Sequence, residues 1–180
     1  MMSISKVFNF SVPDKPGQRL RLGNLQHDSI ALVLSEIAKK QSGVILVVTP
    51  DTQSANRLEG AVKFFSPELV VLNFPDRETL PYDHFSPHQD IISQRLLTLT
   101  QLPTIKSGIL LVPITTLMQR LPPLSYIQAT GLMIQCGEER RIDDMRQGLQ
   151  KAGYHNVSQV LTRGEFAVRG SILDIFPMGS

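Results

Sequence analysis

Between residues 23 and 123 the apolar positions alternate between two textures. Ile30, Val33, Leu34, Ile37 and Ala38 recur at the spacing of one helix face, and Asp28 stands where an N-cap belongs. Residues 44–48 are instead an unbroken apolar run, opened by Gly43 and closed by Pro50, which predicts a buried strand. Ala55, Leu58, Val62 and Phe65 draw a second helix face, stopped at Ser66-Pro67. Two more strand-like runs lie at 69–72 and 109–112. Between them Ile92, Leu96, Leu99 and Leu102 mark a helix that starts near Gln89 or Asp90 and ends before Pro103. Strands apolar on both faces, separated by amphipathic helices, predict a parallel sheet with helices packed over it and right-handed crossovers.

The pattern changes after Leu121-Pro122-Pro123. A short strand is expected at 132–135, then a helix with Ile142, Met145, Leu149 and Ala152 on one face and Gly153 at its end. Residues 157–161, Glu165–Arg169 and Ile172–Phe176 read as strands joined by turns at Arg163-Gly164 and Gly170. This predicts an antiparallel meander with one helix, hence a second, smaller domain. The boundary falls between Pro123 and Gly131, giving domains over 1–127 and 128–180.

Composition changes this picture little. Hydrophobic residues at 42% and charged residues at 19% describe an ordinary globular chain. A net charge of +2, with Lys39-Lys40 and Arg140-Arg141 the adjacent basic pairs, gives no footing for nucleic-acid binding. The single cysteine, Cys136, excludes an intrachain disulfide and suits a reducing, cytoplasmic setting. Its place after an apolar run predicts a buried thiol. No stretch approaches membrane-spanning length, so no membrane partner is expected.

The most distinctive wording is ETLPYDHFSPHQDIISQRL, from Glu78 to Leu96. Pro81 and Pro87 bracket Tyr82 and Phe85 and stiffen the connector that enters the helix. This run, and GEFAVRGSILDIFPMGS over 164–180, closely resemble the N-terminal UvrB-homology module of the bacterial transcription-repair coupling factors, Mfd. The resemblance implies a degenerate RecA-like α/β domain, helicase-type and P-loop-derived, followed by part of an α+β domain that docks UvrA. In that family the second domain runs further, and the chain then returns to complete the first sheet, so this sequence reads as a fragment. The implied role is recruitment of UvrA to stalled RNA polymerase. Polymerase and DNA would be engaged by parts of the parent not present here. ATP and magnesium would serve the parent's motor domains.

UvrB itself carries the phosphate loop G-x-x-x-x-G-K-[ST], whose glycines expose backbone N–H groups to phosphate while Lys and Ser/Thr neutralise charge and hold magnesium. Matching the helix stripes puts residues 23–30 in its place: Gly23 survives, Asp28 stands for the second glycine, Ser29 for the lysine and Ile30 for the hydroxyl residue. The expectation is therefore no cofactor and no catalysis in this fragment. The alternative is an active, nucleotide-dependent DNA-processing enzyme like UvrB. Against that alternative, this chain has only Tyr82 and Phe85 in a short connector, too little for the aromatic β-hairpin of UvrB.

Asp83, His84, His88 and Asp90 have metal-ligand chemistry, but Pro87 breaks the helical spacing of the imidazoles, and a metal site is not expected. No G-x-S-x-G elbow or Cys–His pairing offers a nucleophile. The residue that stands out is Arg169. Alternation along Glu165–Arg169 puts Phe166 and Val168 on one face and Glu165, Ala167 and Arg169 on the other, which is expected to face outward. The resemblance implies that the arginine before Gly170 contacts UvrA, with Glu165 and Ala167 on the same face. UvrB has a basic residue where this chain has Ala167.

Overall fold

The computed structural model of the protein describes residues 12–26, 28–80, 83–84, 86–130, 134 and 136–178. By packing these fall into two compact units. The first comprises the described residues up to Asn73 together with Ile105–Leu117. The second comprises Phe74–Thr104 together with the described residues from Met118 onward.

The first unit is an α/β layer. Helix α1 (Asp28–Lys40), strand β1 (Gly43–Thr49), helix α2 (Thr52–Phe65), strand β2 (Val71–Asn73) and strand β3 (Ser107–Pro113) build a three-stranded sheet, all parallel, in the order β1-β3-β2. A four-residue helix, α4 (Ile114–Leu117), follows β3. The core combines Ala31 and Ala38 of α1, Ala55 and Val62 of α2, and Ile109 and Leu111 of β3. Small side chains at three of these positions let the two helices approach closely over the sheet. That choice shifts the face read from the sequence. Ala31, Ser35 and Ala38 are buried, whereas Ile30 is left exposed.

Helix α2 begins at an Asp51 cap, whose Oδ1 accepts the Ser54 N–H at 2.6 Å, and ends at Ser66. Helix α1 starts differently from the expected Asp28 cap. Asp28 is already in the first helical turn, where a carboxylate complements the helix dipole. The start is tied by Ser29, whose hydroxyl accepts the Gln26 N–H at 2.8 Å and donates to the Gln26 carbonyl at 2.7 Å. Gly108 takes φ +156°, and a Cβ there would lie 2.6 Å from the Val70 carbonyl oxygen. Glycine thus lets β2 run beside β3.

The second unit holds helix α3 (Gln89–Gln101), continued by a 3-10 turn at Leu102–Thr104. After it come α5 (Leu124–Thr130), α6 (Ile142–Lys151) and strands β4 (His155–Asn156), β5 (Glu165–Arg169) and β6 (Ile172–Phe176). The sheet is mixed rather than an antiparallel meander: β5 pairs β4 in parallel and β6 antiparallel. The strand expected at 157–161 is instead the two-residue β4 just before it. Its ladder ends where the Val157 N–H reaches the Phe166 carbonyl. Beyond that the chain turns away, because the Glu165 carboxylate takes the Leu161 and Thr162 N–H groups, each at 2.8 Å. The strand expected at 132–135, apart from an exposed Ile134, and the aromatics Tyr82 and Phe85 lie outside the described residues. Cys136 is exposed in a turn, not buried.

Candidate protein-interaction site

The β5–β6 hairpin is joined by two residues, Gly170 and Ser171, with Gly170 at φ +60°, the position where a type II′ turn takes glycine. This turn fixes Arg169 directly opposite Ile172 and Ala167 opposite Asp174. Arg169 is exposed, and its Nη2 donates to Asp174 Oδ2 at 3.0 Å across the hairpin. Glu165 is half-buried and committed to the chain before it. Hydrogen bonds from the Leu161 backbone N–H, then from that of Thr162, hold its carboxyl below the usual range.

Ala167 lies on the strand face expected for it but is buried there, at 1% exposure, with Phe166 also buried beside it. β5 is the central strand, and the Arg169–Asp174 pair spans the face on which the Ala167 methyl lies. Exposure therefore changes along the strand rather than between its faces: buried at 166–167, open at Arg169. The opposite end of the same face is closed by Arg163. Its Nε pairs with Asp90 Oδ1 at 2.8 Å and its guanidinium lies 5.5 Å from the centre of the Phe176 ring.

In the first unit, Gly23 lies in irregular chain where a Cβ would meet nothing within 4 Å. Asp28, Ile30, Ser54 and Arg57 line a cleft of about 360 Å³ at the carboxyl end of β1, with Val47–Pro50 as its floor. Open α/β sheets commonly bind ligands at that end. Here the walls are largely apolar, and the charged groups on them are one acid and one arginine.

A family profile described as the UvrB interaction domain matches residues 132–180. The chain is 45% identical over 173 residues to the transcription-repair-coupling factor of Escherichia coli (strain K12), covering 96% of this chain and 15% of that protein. It is 51% identical over 173 residues to that of Haemophilus influenzae, again with 96% and 15% covered. For Rickettsia prowazekii the figures are 30% over 148 residues, 82% of this chain and 13% of the relative. The chain belongs to the transcription-repair-coupling factor family. It spans about 15% of the length of these first two relatives.

Within this coupling-factor chain, Asp83, His88 and Asp90 serve local structure. Asp83 Oδ2 accepts the Leu80 N–H at 2.7 Å, His88 caps α3 by accepting the Asp90 N–H through Nδ1, and Asp90 is paired with Arg163. Among the described residues no three His, Cys, Asp or Glu side chains gather in metal-binding geometry. No described helix is long and apolar enough to cross a membrane.

The sequence reading missed Arg95. It is 6% exposed on α3, donates through Nη1 to the Pro75 carbonyl and stacks 4.2 Å from the centre of the Phe74 ring. Burial pulls its pKa below the usual arginine value, with Arg77 adding to the effect. The helix consequently buries Ser93, Arg95 and Thr98 most deeply, while Ile92, Leu96 and Leu99 are half-buried. A proline at 75 after an aromatic, with an arginine on the next helix, was the available signal.

Proposed function

We propose that this chain is the docking part of a transcription-repair coupling protein, recruiting UvrA to stalled RNA polymerase. Its first domain, over 1–127, is a degenerate RecA-like fold, and its second, over 128–180, is part of the UvrA-binding domain. Arg169 carries this reading: its guanidinium is solvent-presented at a hairpin tip, inside the residues that match the UvrB interaction domain. A planar arginine can meet a partner carboxylate with two parallel hydrogen bonds. Polymerase, DNA, ATP and magnesium belong to other parts of the parent.

The phosphate-loop positions support a non-catalytic role. A triphosphate does not suit them, because Asp28 lines the cleft and the Ser29 hydroxyl is committed to Gln26 in both directions. The open strand face of the first unit supports completion of its sheet by later parent chain. Titration of UvrA against the intact parent protein tests the recruitment reading. Arg169→Ala is expected to weaken binding by roughly tenfold or more at unchanged melting temperature. Equal affinity for variant and wild type overturns it. Calorimetric titration of the 180-residue chain with ATP should show no saturable binding, and binding abolished by a change at Ser29 would restore the enzymatic alternative.

A further inference from the structure

We propose that the hairpin tip is a composite contact in which Ile172 is an apolar anchor and Asp174 is a positioning residue for Arg169. The partner surface it fits offers an apolar seat beside a carboxylate. The inference rests on the recruitment reading above and extends it to two further residues.

The geometry begins with the turn. Two residues, Gly170 and Ser171, leave no slack, so Arg169 and Ile172 stand as directly opposed neighbours on one face. Ile172 is 62% exposed. A single exposed isoleucine is ordinary on a surface. This one sits beside an arginine at a hairpin tip, and arginine is enriched among interface hot spots, which cluster in well-packed, desolvated patches. Strand residues are also held more rigidly than loop residues, so little backbone entropy is lost when the tip is covered.

Asp174 supplies the second half. It lies opposite Ala167, whose buried methyl leaves room for the Arg169 side chain to lie across the strand towards it. The bond engages one of the five guanidinium N–H donors, at Nη2, so the others can meet a partner carboxylate. An exposed ion pair of this kind adds little to fold stability. Its effect on binding is larger in proportion, because an arginine side chain loses considerable rotamer freedom when fixed, and Asp174 fixes part of it beforehand. The far end of this face is occupied by Arg163, Asp90 and Phe176, which confines the contact to the tip.

UvrA affinity of the intact parent protein separates the possibilities. Ile172→Thr keeps β-branching and should weaken binding about tenfold without lowering the melting temperature. Asp174→Ala should weaken binding about threefold in the wild-type background and have no effect in the Arg169→Ala background, as expected if it acts through the arginine. Unchanged affinity of Ile172→Thr, or a marked fall in its melting temperature, overturns the anchor. An Asp174→Ala effect that is absent, or equal with and without Arg169, overturns the positioning role. If wild type fails to bind UvrA, or Arg169→Ala binds as wild type does, the recruitment reading itself falls. Loss of binding on Arg169→Ala alone leaves that reading standing while removing this inference.

Discussion

Arg95 shows how one side chain ties a loop to a helix. Its guanidinium is withdrawn from water, yet it keeps a carbonyl acceptor at Pro75 and an aromatic face at Phe74. The carbonyl of residue 75 leaves the strand layer with no ladder partner, and the arginine answers that demand from α3, 20 residues later. Truncation would leave both a cavity and an unpaired carbonyl. Arg95→Ala is therefore expected to cost about 3 kcal/mol in urea unfolding, and Arg95→Lys somewhat less, since lysine keeps the charge but not the planar stack. A change below about 0.5 kcal/mol for Arg95→Ala would mean that water replaces the contact without loss.

At the scale of elements, two depressed carboxyls hold chain ends in place. The Ser54 backbone N–H lowers Asp51, which caps α2, and the Leu161 and Thr162 N–H groups lower Glu165 at the start of β5. A carboxyl whose folded pKa lies below its unfolded value stabilises the fold above that unfolded value. The contribution is lost as pH falls through the folded pKa. The ordinary values are 3.8 for Asp51 and 4.5 for Glu165, so the loss belongs to the acid side of that range. Thermal melts should show Glu165→Gln less stable than wild type at neutral pH, with the difference shrinking below pH 4.5. A pH-independent gap would assign Glu165 a packing role instead. The helices α1 and α2 were legible because each repeats one period over several turns, and the strands β1 and β3 because each carries an unbroken apolar run. β4 was misplaced because it is two residues long and is followed by a carboxylate-held turn rather than by more strand. Ala167 was misassigned because alternation says which face a side chain takes and nothing about what spans that face. Arg169 was placed correctly in the open for a reason alternation does not supply, its position beside the turn.

For the molecule as a whole, the most consequential feature is the β1 side of the first unit's sheet, open on the face opposite α1 and α2, although Val112 of β3 is buried there. Both α1 and α2 pack on the face that carries Ile45, Val47, Ile109 and Leu111. Val44, Leu46 and Val48 alternate onto the other face and are 37%, 51% and 45% exposed, with Leu110 beside Leu46 in register. Parallel sheets are almost always buried on both faces, so this apolar strip calls for cover. Relatives about six times as long supply ample chain for it, consistent with the proposal that later sequence completes the sheet. The isolated 180-residue chain should then bind a hydrophobic dye and self-associate. Leu46→Lys should reduce both while leaving its melting temperature nearly unchanged, since the side chain is already half in water. In the intact parent the same substitution would bury an unpaired ammonium and should destabilise by about 3 kcal/mol or more. The two proteins are thus expected to respond differently to one mutation, the isolated chain without loss of stability and the parent with it. A parent that tolerates Leu46→Lys without loss of thermal stability would show that this face stays open, and the completed-sheet proposal would be wrong.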